Sequence, residues 1–175
     1  MRPRGASTRS SGEGSRGQAL VEFAIVAPML FLLILGTIEA GRFIFHYELV
    51  NNAAREGARY AIVHGSLSAC PSGPPPPGET NVCDPSGANI KTAVREAALE
   101  IMSVGDLFVY EPVWTSRGNL SNPSPGDSST GNNRRGEYVT VFVDFTYDPI
   151  FTQVLDLAVM PSFNINAEST LVINN

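Results

Sequence analysis

The feature that most restricts this chain is the uncharged run Phe23–Ile38, F-A-I-V-A-P-M-L-F-L-L-I-L-G-T-I. Its sixteen residues would make only about 24 Å of helix, short of a hydrocarbon core of about 30 Å. Starting the helix at Gln18 gives 21 residues, about 31 Å, which spans. The span then includes Glu22. A carboxylate at mid-membrane costs roughly 2.5–3.5 kcal/mol and less near the interface. No basic residue occurs between Arg16 and Arg42. Glu22 therefore lies about one turn inside an apolar segment and requires a cationic partner from elsewhere.

Charge orients the segment. The chain has 175 residues and a net charge of -5. Residues 1–17 carry Arg2, Arg4, Arg9 and Arg16 against Glu13, a balance of +3, which leaves -8 for the remainder. Basic residues ahead of the span predict a cytosolic leader and an extracytoplasmic body. An acidic body gives no electrostatic reason to bind nucleic acid. A cleaved secretory signal fits poorly: the apolar run exceeds 15 residues, and the best small-x-small site, Ile38-Glu39-Ala40, begins with Ile. Pro28 falls within the run and predicts a local bend, which membrane helices tolerate.

Helical spacing continues past the span. Phe43, Tyr47, Val50, Ala54, Gly57 or Ala58, and Ala61 recur with a helical period, and no further proline occurs until Pro71. The pattern predicts one helix from Gln18 to His64, capped at Gly65. Two ladders of small residues lie on it, Gly36–Ala40 and Ala53–Gly57–Ala61. Such ladders let helices approach closely. For the second, packing on the chain's own domain and packing between molecules are both open. Arg55 and Arg59 read as solvated or weakly paired with Glu56, and His46 and His64 as surface histidines.

Residues 65–87 form a Pro-rich loop flanked by Cys70 and Cys83. Twelve residues between the cysteines is not a metal-ligand spacing. In an extracytoplasmic body the two are a candidate disulfide, worth about 3 kcal/mol by loop closure, with two unpaired thiols as the alternative. An amphipathic helix then follows from Ile90 through Val94, Ala97, Ile101 and Val104 to Gly105. Leu107–Thr115 reads as a strand that Pro112 marks as edge or bulge, Ser116–Gly136 as a long mobile loop, and Tyr138–Asp148 as the clearest strand. Phe151–Met160 reads as a short helical turn, and Phe163–Ile173 as a last strand.

The expected fold is α+β: a long N-terminal helix, partly transmembrane, a shorter second helix and a small antiparallel sheet of about three strands. The segments are a leader (1–17), a transmembrane segment (18–40), its extramembrane continuation (41–64), the Pro-rich loop (65–87) and a small α+β domain (88–175). No nucleophile elbow, metal-ligand cluster or phosphate loop occurs, so no enzyme, cofactor, metal site or small-molecule substrate is expected.

G-Q-A-L-V-E-F at 17–23 fits the prepilin-type pattern of Gly, four residues, Glu, then an aromatic before an apolar helix. With R-F-I-F-H-Y and N-N-A-A-R-E-G-A-R-Y-A after it, the stretch from about residue 16 to 62 resembles the TadE-like family, pilin-like proteins of the tight-adherence (Flp-type) pilus machinery of bacteria. The resemblance does not extend to the leader or the outer domain. It implies a pilin-like fold, cleavage between Gly17 and Gln18 by a membrane prepilin peptidase, and contacts with other pilin-like subunits and pilus-assembly membrane proteins. It also implies that Glu22, beside Phe23, pairs with the freed N-terminus of a neighbouring subunit and sets helix register. A single-pass adhesion or binding module held by an uncleaved signal anchor is the alternative function.

Overall fold

The computed structural model describes residues 13–80, 83–99, 106–119, 122–150 and 161–174. The turn expected at Phe151–Met160 and the end of the second helix at Ile101–Gly105 lie outside these residues, as does most of the leader. The chain divides into two units, residues 1–41 and 42–175.

Helix α1 runs Glu13–Val63 and continues through Pro28. It begins earlier than Gln18, the start required by the length of the span. In the first unit its large apolar residues are exposed, including Leu33 at 67% and Phe31 at 63%. In the second unit the helix is one-sided. His46, Val50, Ala53, Ala54, Gly57, Ala58 and Ala61 are buried, while Arg55, Glu56 and Arg59 are exposed. Intervals of three and four place the buried set on one face.

The second unit also contains α2 (Ala88–Ala97) and strands β1 (Leu107–Val109), β2 (Val113–Thr115), β3 (Tyr138–Tyr147) and β4 (Phe163–Val172). All pairing is antiparallel and centred on β3. β4 pairs with β3 along its full length, from Tyr138↔Val172 to Tyr147↔Phe163. β1 and β2 share the other edge, since Val143 faces both Val109 and Ala167, and Tyr138 faces both Thr115 and Val172. The stretch 107–115 is therefore one edge interrupted by a bulge. From Val109 to Val113 is four residues, whereas their partners Val143 and Thr140 are three apart. The inserted residue falls in Tyr110-Glu111-Pro112, where proline cannot donate to the ladder.

Period-two alternation puts Val139, Val141, Val143, Phe145 and Tyr147 on one face of β3, all at most 2% exposed. This face meets α1 and α2 in a single core. His46 stacks on Phe145 with centroids 5.6 Å apart and planes at 9°. Farther along α1, a Cβ added to Gly57 would stand 3.3 Å from Val141 Cγ1 and 2.3 Å from Val94 Cγ2. Gly57 thus permits a close approach of α1 to α2 that any side chain would block. His46, read from sequence as a surface residue, is instead 5% exposed. The aromatic rings of β3 cover it, and its Nδ1 lies 2.6 Å from the Arg42 carbonyl oxygen.

Residues 116–119 and 122–136 form turns, bends and irregular chain, as their Ser, Asn, Gly and Pro content predicts, and the second half of the segment is anchored. The Thr130 and Gly131 amides both donate to the Trp114 carbonyl at 2.9 Å. The Asn133 amide donates to Pro74 and its carbonyl accepts from Ser66. Asn133 is itself buried, at 1% exposure. These bonds tie residues 130–133 to β2 and to the loop after α1. Backbone amides make most of these bonds, which explains why side-chain composition did not signal them.

Candidate functional site

The first unit presents Glu22 within an uncovered apolar surface. A window of 18 residues in α1 has mean hydropathy 2.4, and none of it is buried within the protein. Leu20, Val21, Phe23, Ile25 and Val26 around Glu22 are 53–69% exposed. In water this would be a large unfavourable surface; in lipid it is the favourable one. By length and composition the helix is able to cross a bilayer, with its backbone hydrogen bonds satisfied within the segment, which suggests a membrane anchor. Thr37, the one hydroxyl residue of the run, donates to the Leu33 carbonyl at 2.8 Å and so satisfies its polar group within the helix.

Gly17 and Gly36 have open space where a Cβ would stand. Gln18, Glu22 and Ala40 are also exposed. The two small-residue ladders differ in what surrounds them: Gly36 and Ala40 are exposed, whereas Ala53, Gly57 and Ala61 are buried, with Gly57 set against Val94 of α2 and Val141 of β3.

A second cluster lies at the loop between α1 and α2. Cys70 is half-buried and Cys83 exposed, and both are free thiols. The Cys70 thiol is pushed above its ordinary range, first by a hydrogen bond with the Cys83 thiol and then by desolvation. Asp84, unremarked in the sequence reading, organises this loop. Its carboxylate accepts the Ala88 and Asn89 amides at 2.9 and 2.8 Å, capping α2 where the helix dipole favours negative charge. The spacing Asp84–Ala88, an acid followed by Pro-Ser-Gly ahead of an amphipathic run, is the sequence signal for this cap. Tyr60 stacks on His64 at 3.9 Å, and burial and then nearby Cys70 push its phenol upward.

Among the described residues no group of three or more His, Cys, Asp or Glu could hold a metal. One cleft among the described residues is lined by Thr115, Tyr138, Thr140 and Thr170, and another by Glu56, Tyr60, Thr92 and Glu96. Tyr110 donates to Asp144 at 2.8 Å, a bond that pushes the phenol upward and accounts for that carboxylate structurally.

Comparison with known proteins places the resemblance on this apolar helix. Residues 17–59 match the family model described as TadE-like protein, 43 of the 175 residues. The match begins at Gly17 and runs through Glu22, the exposed apolar surface and the buried face as far as Arg59. No curated protein matches the chain, and no solved structure matches it.

Proposed function

From a chain whose residues 17–59 are TadE-like, we propose a non-enzymatic, pseudopilin-like membrane protein that supports assembly of a tight-adherence type pilus or secretion apparatus. The observation that carries this reading is a coincidence of position. The family match starts at the glycine of G-Q-A-L-V-E-F and covers the same helix that exposes a membrane-length apolar surface around one acid.

The proposed mechanism uses Glu22. The protein crosses the bacterial cytoplasmic membrane once, with residues 1–17 in the cytosol and the second unit outside, as the leader's positive charge favours. A prepilin peptidase cuts Gly17–Gln18, and Gln18 then carries an ammonium group. Its pairing with Glu22 of an adjacent subunit neutralises both charges in apolar surroundings, where a lone carboxylate is costly. Because the two groups are four residues apart, pairing between molecules fixes the axial offset of their helices. Membrane lipid, the peptidase, other pilin-like subunits and pilus-assembly membrane proteins are the proposed partners.

Glu22→Ala tests the mechanism. The variant should insert and fold normally but lose co-purification with its pilin-like partners. A simple anchored binding module predicts unchanged association, and that result would refute the role of Glu22.

A further inference from the structure

We propose that Cys70 and Cys83 form an intramolecular disulfide that locks the loop between α1 and α2 around Trp114. The inference rests on the reading above that the second unit lies outside the cytosol, where disulfides persist.

The loop is already closed without the covalent bond. Cys70 precedes Pro71 and Cys83 precedes Asp84. The Asp84 amide donates to the Pro71 carbonyl at 3.1 Å, and the Gly73 amide donates to the Asp84 carbonyl at 2.7 Å. Ser72 and Asp84 form a parallel bridge. The Asp84 carboxylate is in turn fixed on the first amides of α2, and the Ser72 amide donates to the His64 carbonyl at the end of α1. Both arms of the loop are therefore held to helices. A disulfide needs Cα atoms within about 7 Å, and the Asp84–Pro71 bond and the Ser72–Asp84 bridge hold together the residues next to the two cysteines.

The arms enclose a single target. A Cβ on Gly73 would stand 2.4 Å from the Trp114 ring, and one on Gly87 2.8 Å from it. Gly73 has φ +103°, which a side chain would also strain. Trp114 is 2% exposed and is the chain's only tryptophan. Opening the loop would expose one face of the indole.

The chemistry is thiol–disulfide exchange with an oxidised dithiol oxidoreductase. The exposed Cys83 attacks as thiolate, forming a mixed disulfide and releasing one donor thiolate. Cys70, after losing its proton, displaces the second donor sulfur and forms Cys70–Cys83. Two protons and two electrons leave this chain, and the donor disulfide becomes a dithiol.

The test uses the full chain extracted from membranes with thiols trapped by maleimide at lysis. The expected protein resists labelling until reduced and is lighter by two hydrogens than its reduced form. Its proteolytic digest contains a peptide pair joined through Cys70 and Cys83. Cys70→Ser should leave Cys83 labelled without reduction. Labelling of both cysteines at lysis overturns the disulfide, and a glutathione redox titration of the purified chain then identifies the failed premise. Oxidation in that titration means the compartment was misassigned; failure to oxidise means the loop geometry does not permit the bond.

Discussion

The two parts of α1 obey opposite rules. Before Gly41 the helix exposes Leu, Ile, Phe and Met around its circumference; after Arg42 it buries Ala, Gly and Val on one face and exposes Arg and Glu on the other. Leu33 is 67% exposed, and Ala54 is at 0%. Hydrophobicity alone would invert the two. The difference lies in the solvent each part is built for. Against lipid, large side chains need no protein partner. Against a sheet, small ones allow the backbones to approach closely enough for the core to close.

Substitutions can break this contrast in order of their expected effect. Phe145→Ala removes the ring beneath His46 and should cost the second unit about 3–5 kcal/mol, measured by urea unfolding followed through Trp114 fluorescence. A mid-span charge, Leu30→Arg, should raise the cost of insertion by roughly 2.5–3.5 kcal/mol and deplete the protein from the membrane fraction, leaving the same unfolding transition unchanged. Gly57→Leu should destabilise by about 1–3 kcal/mol through collision with Val94, and Val94→Ala should restore part of that loss in a double-mutant cycle. The same change at Gly36, where the space is open, should leave the unfolding transition in place. Smallest is Arg59→Ala, within about 0.5 kcal/mol, since its 3.8 Å contact with Glu56 is exposed to solvent.

Periodicity carried most of the fold into the sequence. The β3 alternation and the apolar face of α1 are local patterns, and each reads directly as a buried surface. Pro112 marked the break between β1 and β2 for the same reason, a missing amide donor. Long-range determinants were not legible in this way. His46 is buried by Phe145 and Tyr147 from a strand far along the chain, so its neighbours in sequence give no sign of it. Asn133 and residues 130–131 are held by backbone bonds that no composition rule registers. Trp114 lies in a short edge strand, and its burial depends on Gly73 and Gly87 reaching it from the preceding loop. At the membrane end the residues themselves were legible, because the length of the span required Glu22 to lie inside it.

The most direct test of the proposed assembly role is the mature N-terminus, read by N-terminal sequencing or intact mass of the membrane-extracted chain from cells that contain the peptidase. Cleavage between Gly17 and Gln18 predicts a chain that begins at Gln18, with a free amine four residues from Glu22. A chain that retains Arg2 to Gly17 would contradict it, because the ammonium group proposed to pair with Glu22 would then not exist.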